Sequence, residues 1–314
     1  MKEYVISKNE EGRRLDKFAS HILCNAPRSF TYRMLRKKNI VLNDSKASGG
    51  EILSEGDVVK FYLSDETFSS FAEKISADPS WAEKMPPIVY EDENILIVNK
   101  PAGMLSQRSA KSDISLNEIC LSYVIKQSSD NGSSDGFTPS ICNRLDRNTS
   151  GLVIFAKTYP AARTVTANIR NRLIKKYYKC IVSGCINEDM QLSGKLIKDS
   201  KSNTVTVSSG KEGADIITIV HPIDVKNDIS LVQIELVTGK THQIRAHMAS
   251  VGHPLIGDRK YGDAAVNDKF EKHCGIKSQM LTCYKLVFPP DPGLDKLAGK
   301  SIEIDLPDEF NKVI

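Results

Sequence analysis

The sequence predicts an α+β protein of two domains: a small ααββ module, then a larger domain with a mixed, largely antiparallel β-sheet flanked by helices. Three observations lead to this prediction. The chain has 314 residues, which corresponds to about two domains of ordinary size. Apolar residues near the start recur at helical spacing. Beyond residue 88, strand and helix patterns follow one another without the regular alternation of a parallel βαβ fold.

The small module is predicted over residues 1–63. Apolar side chains at intervals of three and four indicate an amphipathic helix over 14–24. A second helix is predicted over 27–38, with Tyr32, Met34 and Leu35 facing inward and the basic side chains facing outward. Two short strand patterns complete the module, at 40–42 and 58–63.

The stretch 64–87 is rich in Ser, Glu, Asp and Pro and is predicted to be a linker. The larger domain is then expected to cover 88–314. Its strand patterns lie at 88–90, 94–99, 141–145, 151–156, 177–182, 216–220 and 231–237, and its helical patterns at 116–126, 160–172 and 241–251. The polar, Gly- and Ser-rich segment 128–137 is predicted to be a mobile loop.

Composition and spacing argue against several classes of protein. No run of about 18 apolar residues is present and the N-terminus has no apolar signal-peptide core, so a cytoplasmic protein with no membrane partner is expected. We also expect a monomer. Seven scattered cysteines without a Cys-x-x-Cys pair favour reduced thiols over disulfides or structural zinc. His242, His247 and His253 lack a carboxylate at ligand spacing, so no metal site is predicted.

The positive charge of the chain is concentrated in two regions. The first 60 residues contain 12 basic and 8 acidic residues, whereas the remaining 254 contain 31 of each. No acidic residue occurs between Asp16 and Asp44, and none between Asp146 and Glu188, where eight bases fall. A single basic stretch is often only a solvated helix face. Two such stretches favour a polyanionic partner, most simply nucleic acid.

A carboxylate between two arginines is the first candidate catalytic element. Residues 143–152 read Asn-Arg-Leu-Asp-Arg-Asn-Thr-Ser-Gly-Leu. Arg144 and Arg147 would keep Asp146 ionised at neutral pH, and the Thr-Ser-Gly turn would fix the direction of the carboxylate. A surface turn with a satisfied aspartate is the more common meaning of such a pattern.

Two further segments carry candidate side chains. In 176–184, strand alternation places Tyr178 on the same face as Cys180 and Val182, and an aromatic ring among lysines can stack on a base while the cations hold phosphate. The segment 238–258 contains Gly-Lys-Thr without the rest of a phosphate-binding loop, so that function is rejected. Arg245 would reach a cleft only if its helix face lined one. A half-buried tyrosine and an ordinary polar helix face are the alternatives.

Together, these segments resemble the signature motifs of the RluA family, the pseudouridine synthases of the large ribosomal subunit. Four elements occur in the family's order: Arg-Leu-Asp-x-x-Thr-Ser-Gly at 144–151, Lys-x-Tyr at 176–178, His-Gln-Ile-Arg-x-His at 242–247 and Gly-His-Pro at 252–254. Residues 99–104 resemble the family's first motif. The N-terminal module resembles an S4-type RNA-binding domain, and its stretch 27–37 is similar to the C-type branch of the family.

The resemblance implies an enzyme that isomerises uridine to pseudouridine in RNA, most simply in large-subunit ribosomal RNA, with no cofactor and no metal. Asp146 would be the catalytic carboxylate, paired with Arg245, and would attack C1′ or C6 or remove a ribose proton. Tyr178 would stack on the flipped uracil and handle the C5 proton. Arg144 and Arg147 would fill the vacated stack or contact phosphate. Further RNA contacts are expected from Lys176, Arg28, Arg33, Arg36, Lys37 and Lys38.

Two positions depart from the family pattern. Asn143 stands where a histidine is usual, and Leu-Ser-Gln-Arg follows Met104 where His or Gly is expected. Three alternatives remain open: transfer RNA as the substrate, a non-catalytic RNA-binding protein, and a glycoside hydrolase of free nucleosides. The last would need a second, paired carboxylate.

Overall fold

The structure is a computed structural model. It describes residues 1–72, 78–110, 112–127, 137–199, 204–208, 210, 212–290 and 292–314. Most of the predicted loop 128–137 lies outside the described residues. Among the helices of these ranges, none has the length and apolar character needed to cross a membrane.

The N-terminal part consists of two helices packed on a four-stranded antiparallel sheet. Its elements are β1 (Lys2–Val5), α1 (Leu15–Ile22), α2 (Arg28–Arg36), β2 (Ile40–Leu42), β3 (Ser45–Lys46) and β4 (Val58–Phe61), with sheet order β1-β4-β2-β3. The two helices and the strands β2 and β4 were predicted. β1 was not, because its side chains are mostly exposed and its strand character depends on pairing with β4.

The outward face of α2 carries one side chain that was expected inside. Met34 and Leu35 fill the core as predicted, but Tyr32 is 42% exposed. Its hydroxyl donates to Asp16 Oδ2 at 2.7 Å, so the tyrosine lies across the helix pair instead of entering the core. The prediction for Tyr32 is therefore wrong, because a polar partner at the surface satisfies its hydroxyl.

The stretch 64–87 is not free of regular structure. Helix α3 (Asp65–Phe71) places Phe68 in the core of the N-terminal module, and Phe71 packs against Phe30 at a ring distance of 4.7 Å. A 3-10 helix over Pro79–Lys84 follows, preceded by the Asp78 carbonyl, which accepts a hydrogen bond from Ser122. The described segments on either side of 73–77 thus each pack on the domain next to them. The stretch was predicted to be a linker because polar residues separate its aromatic residues, so that no regular apolar pattern indicates burial.

The second part is built on one large sheet, which is mixed and largely antiparallel, as predicted. Its strands are β5 (Ile88–Glu91), β6 (Ile95–Lys100), β7 (Ser140–Ile141), β8 (Ser150–Ala156), β9 (Lys175–Ser183), β10 (Met190–Asp199), β11 (Thr204–Ser208), β12 (Ala214–Lys226), β13 (Ile229–Leu236), β14 (Leu281–Val287) and β15 (Ser301–Glu303). In the described residues the order is β11-β10-β12-β13-β9-β14-β8-β6-β5, with β7 beside β8 and β15 beside β14. The pairing of β14 with β8 is parallel.

Five helices accompany this sheet: α4 (Leu116–Gln127), α5 (Tyr159–Arg170), α6 (Gln243–Ser250), α7 (Ala264–Cys274) and α8 (Asp308–Asn311). A 3-10 helix covers Pro292–Leu294. The core is densest around β8, whose seven residues are all buried. Such a strand, covered on both faces, gives a rigid support to the loop that precedes it. On β9, Tyr178, Cys180 and Val182 all enter the main core, which confirms the predicted strand alternation.

The N-terminal module contacts the second part through α1 and the start of α5. The Arg13 guanidinium lies 5.6 Å from the centre of the Tyr159 ring, and Thr138 Oγ1 is 3.3 Å from His21 Nε2. Burial lowers the pKa of His21 to about 4. A neutral histidine is thus enclosed at the contact.

Candidate active site

The loop between β7 and β8 presents Asp146, the predicted catalytic carboxylate. Its side chain is 24% exposed. Arg245, from α6 and 99 residues further along the chain, donates from Nη1 to Asp146 Oδ2 at 2.9 Å. The structure therefore brings together the two residues whose pairing the family resemblance implied.

The arginines that flank Asp146 do not hold it. Arg144 is exposed and donates from Nη1 to Gln107 Oε1 at 3.4 Å, while Arg147 is exposed and donates from Nε to the Gly103 carbonyl at 3.0 Å. The hydrogen-bond partners of the two neighbouring arginines are thus Gln107 and Gly103, and the guanidinium group that bonds to Asp146 is that of Arg245. Side chains adjacent in a turn project in different directions, so closeness in sequence does not bring their charges together.

Arg245 is held in turn by a second carboxylate. Its Nε and Nη2 donate to Asp258 Oδ2 and Oδ1 at 2.6 and 2.8 Å, and the Asp258 side chain is only 1% exposed. Burial acts to raise the pKa of Asp258, but the hydrogen bonds and charge of Arg245, together with the N–H groups of Lys260 and Tyr261, outweigh it and lower the pKa. The bidentate pair fixes the guanidinium plane and leaves Nη1 aimed at Asp146.

A histidine also faces Asp146. His242 Nε2 lies 3.8 Å from Asp146 Oδ2, and its Nδ1 is 2.9 Å from the Tyr261 hydroxyl. The Tyr261 oxygen accepts a hydrogen bond from Val205 N, and the Tyr261 ring lies under the Arg245 guanidinium at 5.1 Å. Burial lowers the pKa of His242, against the opposing effect of Asp146.

Hydrogen bonds to the neighbouring strand β12 hold helix α6, which carries Arg245, in place. Gln243 and His247 lie on one face of the helix, and both hydrogen-bond to Thr218 Oγ1 at 3.0 Å. His242, just before the helix, has a left-handed backbone with φ of 56°. This conformation is uncommon for a residue other than glycine and turns the chain sharply into α6.

A buried lysine ties the loops around Asp146 together. Lys100, at the end of β6, is fully buried, and its Nζ donates to the carbonyls of Pro101, Met104 and Arg147 at 2.9–3.0 Å. Burial lowers the pKa of Lys100 to about 8, although the charge of Asp146 acts in the opposite direction. The ammonium thus joins the loop after β6 to the loop that carries Asp146.

Two side chains fix the backbone on the N-terminal side of Asp146. Ser106 Oγ donates to the Leu145 carbonyl at 2.7 Å and accepts from the Leu145 N–H at 3.1 Å. The buried Asn143 amide donates to the Leu152 carbonyl and accepts from Ile154 N. Asn143, the departure from the family pattern, therefore supports β8 and does not approach the carboxylate.

The two predicted side chains of the Lys-x-Tyr element, Lys176 and Tyr178, are both at least half-buried. Tyr178 is only 5% exposed. Burial, its hydrogen bond to Cys283 and the charge of Asp146 all raise the pKa of Tyr178 well above its ordinary value. Lys176 is half-buried next to Gly239, and burial lowers its pKa. Tyr178 thus lies within electrostatic range of the carboxylate, whereas Lys176 is not a freely exposed phosphate contact.

Gly151, the second residue of β8, lies at a point where no side chain fits. Its φ is +115°, and a Cβ there would overlap the Cys283 backbone, lying 2.6 Å from the nitrogen. We expect Gly151→Ala to destabilise the fold by more than about 2 kcal/mol, because strain and overlap add. Gly299→Ala, also at positive φ but with open space around it, should lower stability by only about 1 kcal/mol. Urea unfolding of both variants measures the difference, and equal losses would contradict it.

The basic residues predicted in the N-terminal module are all at the surface. Arg28, Arg33, Arg36, Lys37 and Lys38 are exposed on α2 and directly after it. Beside them lies a cleft of about 640 Å³ lined by Tyr32, Arg36 and Lys46, among others.

A larger cleft of about 1040 Å³ lies behind the Asp146 loop. Asn148 and Ser150 border it, but most of its lining comes from 275–281 and 303–310. Asp146 is not in that lining, so this cleft does not define the candidate site. Within the described ranges, no group of three or more His, Cys, Asp or Glu side chains could hold a metal ion.

Four residues of the site received no role from the sequence: Lys100, His242, Asp258 and Tyr261. Lys100, His242 and Asp258 lie inside segments that the sequence comparison had already singled out, whereas Tyr261 lies just after the last of them. A usable signal existed for Lys100, since a lysine that ends the apolar run 95–98 needs buried partners. His242, Asp258 and Tyr261 could not be found from a sequence pattern, because their contacts join residues that are far apart along the chain.

Comparisons with known proteins agree with this geometry. The family model of the RNA pseudouridylate synthases matches residues 94–250. A Mycoplasma pneumoniae protein named as an uncharacterized RNA pseudouridine synthase is 34% identical over 265 residues, covering 82% of this chain and 80% of its own. The ribosomal large subunit pseudouridine synthase C of Vibrio cholerae is 30% identical over 309 residues, covering 96% and 91%.

A solved structure shares the fold. Human RNA pseudouridylate synthase domain containing 4 superposes with a TM-score of 0.60 at 18% identity, covering 74% of this chain and 94% of that one. At this identity the likeness concerns the architecture of the large sheet and its helices.

Proposed function

Because this chain belongs to the RNA pseudouridylate synthase family, we propose that Asp146 is the carboxylate with which it converts uridine to pseudouridine. The enzyme breaks the N1–C1′ bond of a uridine in RNA and joins C5 to C1′; the C5 hydrogen leaves as a proton, and N1 takes up a proton. One observation carries the assignment of Asp146: its Oδ2 is held by the buried Arg245 at 2.9 Å, while the described residues offer its Oδ1 no hydrogen-bond donor.

The geometry supports different roles for the two carboxylate oxygens of Asp146. Arg245 is locked by Asp258, so Oδ2 has a fixed partner and the carboxylate plane is set before RNA arrives. The unpartnered Oδ1, on a side chain still 24% exposed, is left to attack carbon or to remove a ribose proton. Both routes use the same oxygen, and both remain part of the proposal.

We assign Tyr178 to the uracil. Its ring lies close enough to Asp146 for the carboxylate to raise the pKa of the tyrosine. The uracil of an extruded uridine would also have to arrive beside Asp146. The ring is almost fully buried, so stacking requires neighbouring side chains to move when the base enters. Extrusion of a base from structured RNA requires a few kcal/mol. Exposed Arg144 and Arg147, on either side of the carboxylate, are placed to contact phosphate or to occupy the vacated stack.

The proposed substrate is large-subunit ribosomal RNA. The support is the name of relatives such as the Vibrio cholerae enzyme, aligned over nearly the whole of both chains. Transfer RNA is the alternative. To distinguish them, ribosomal and transfer RNA labelled with tritium at uridine C5 are incubated with the protein. Release of tritium from ribosomal RNA alone, with the base retained in the polymer, supports the proposal. Release of free uracil would instead indicate a hydrolase.

The N-terminal module is proposed to be an S4-type RNA-binding domain. Its support is the exposed basic face of α2 and the contact of the module with α5. The domain limits 1–63 and 88–314, the cytoplasmic location and the monomeric state stay predictions. The packing of Phe68 and Phe71 extends the module's core to about residue 72.

Neutralising this basic face is expected to weaken RNA binding in a salt-dependent way. Arg28, Arg36, Lys37 and Lys38 are replaced together by Gln in the full-length chain. Affinity for a ribosomal RNA fragment should fall about tenfold or more at 0.1 M salt, and the slope of log K against log salt should decrease by about one for each lost phosphate contact. The control replaces four exposed lysines elsewhere, Lys226, Lys269, Lys272 and Lys312. Equal effects of the two sets would show that the α2 face is not the binding surface.

A further inference from the structure

His242 is enclosed between the candidate carboxylate and a tyrosine. Its side chain is only 11% exposed, its Nε2 is directed to Asp146 Oδ2 at 3.8 Å, and its Nδ1 meets the Tyr261 hydroxyl at 2.9 Å. The charged groups around the ring are Asp146, Arg245, Lys260 and Asp258. Neither His242 nor Tyr261 has yet been given a role in the reaction.

The hydrogen-bond pattern assigns the position of the imidazole proton. The Tyr261 oxygen already accepts a hydrogen bond from the backbone N–H of Val205. Among the described residues, His242 Nδ1 is the one acceptor within hydrogen-bond distance of the Tyr261 hydroxyl, so we assign the hydroxyl hydrogen to a bond with an unprotonated Nδ1. A neutral ring then carries its proton on Nε2, the nitrogen that faces the carboxylate. The lowered pKa of His242, caused first by burial, is consistent with a neutral ring.

We propose that His242 is a positioning residue for the isomerisation: its Nε2 lies 3.8 Å from Asp146 Oδ2, beyond hydrogen-bond distance, and its Nε2–H acts electrostatically on that oxygen, together with the hydrogen bond from Arg245, so that Oδ1 meets the substrate. Tyr261 sets the tautomer that makes this possible. The inference rests on the proposed role of Asp146. It explains why a non-glycine residue occupies the left-handed position before α6, since the sharp turn brings the imidazole to the carboxylate.

Two substitutions at position 242 separate the imidazole from the backbone conformation. Asn tolerates the left-handed region better than other non-glycine residues, but its amide reaches only the position of Nδ1. Gln is less suited to that backbone, but its amide nitrogen can occupy the position of Nε2. His242→Gln should therefore keep a donor toward Asp146, whereas His242→Asn should lose it. If the only role of His242 were to adopt the left-handed backbone, His242→Asn would be the more active of the two variants.

The experiment measures single-turnover pseudouridine formation on ribosomal RNA, RNA affinity and thermal unfolding for each variant. We expect His242→Asn to slow the reaction by about tenfold or more, with RNA affinity within about twofold of the wild type. His242→Gln should recover most of that rate. Tyr261→Phe should also slow the reaction, because the tautomer is no longer set. Its control is Tyr90→Phe, which loses a tyrosine hydroxyl bonded to Asp92 at the edge of the sheet.

The outcomes distinguish this inference from the function it depends on. If His242→Asn is as fast as His242→Gln, or faster, the Nε2 donor has no role and the inference is overturned. The same holds if both variants are equally slow, or if Tyr261→Phe behaves like Tyr90→Phe. If Asp146→Asn itself remains active, the proposed function fails first. If Asp146→Asn is inactive and the order at 242 is reversed, only the role of His242 is lost.

Discussion

Asp146→Asn is expected to abolish pseudouridine formation while RNA affinity stays within about twofold of the wild type. The amide keeps the shape of the side chain and can still accept the hydrogen bond from Arg245 Nη1, so the loop should keep its conformation. It can neither attack carbon nor take a proton, and losses on removal of an essential catalytic group reach about 10⁴-fold or more. Tritium release under single-turnover conditions measures the rate, and filter binding measures the affinity.

The matched control for this prediction is Asp228→Asn. Asp228 is exposed in the turn between β12 and β13 with φ of 59°, a conformation that Asn adopts readily. That variant should keep full activity. An Asp146→Asn enzyme that still isomerises uridine would remove Asp146 from the mechanism. A loss of RNA affinity equal to the loss of rate would assign it a binding role instead.

Arg245→Ala is expected to have the second largest effect, on stability as well as activity. The guanidinium lies between two carboxylates, and Asp258 is 1% exposed. Removing the cation leaves Asp258 buried without its partner and releases Asp146. Breaking a buried ion pair in this way lowers the free energy of unfolding by about 3–5 kcal/mol. Urea unfolding measures the loss, and the activity of the folded fraction should be at background.

Two comparison variants define what Arg245 contributes. Arg245→Lys keeps the positive charge, but a single ammonium cannot reproduce the bidentate bond to Asp258 and the bond to Asp146 together, so it should recover part of the stability and little of the activity. Arg259→Ala removes an arginine that is 44% exposed and paired with Asp268, and should leave stability close to that of the wild type, because exposed ion pairs contribute little. If Arg245→Ala and Arg259→Ala lose the same stability, the buried pair is not structurally important.

Much of the fold could be predicted because it depends on local patterns. The periodicity of 14–24 and 27–38 led to α1 and α2, and the apolar runs 94–99 and 151–156 led to β6 and β8. Elements were missed where pairing, not pattern, makes the structure: β1 is a strand because β4 lies beside it, and α3 is ordered because Phe68 reaches a core formed by earlier residues. Such contacts are not visible in a window of neighbouring residues.

The candidate site divides in the same way. Asp146, Tyr178 and Arg245 were found because their motifs keep a fixed spacing, and that spacing reflects chemistry that needs those side chains. The partner of the carboxylate was expected in two places. The family resemblance pointed correctly to Arg245, whereas the local charges of Arg144 and Arg147 pointed to the wrong guanidinium groups, since both side chains turn away.

By itself, the amino-acid sequence determined the class of fold, the family and the concentration of basic charge near the N-terminus, and it pointed to Asp146 as the candidate acid, because these are recorded in residue type and spacing. Only the tertiary structure decided how that acid is held. Arg245, Asp258, His242 and Tyr261 come from α6 and the segments directly before and after it. They meet Asp146 because the large sheet brings segments about a hundred residues apart to one place. Electrostatic and hydrogen-bond energies depend on distance in space, and folding alone sets that distance.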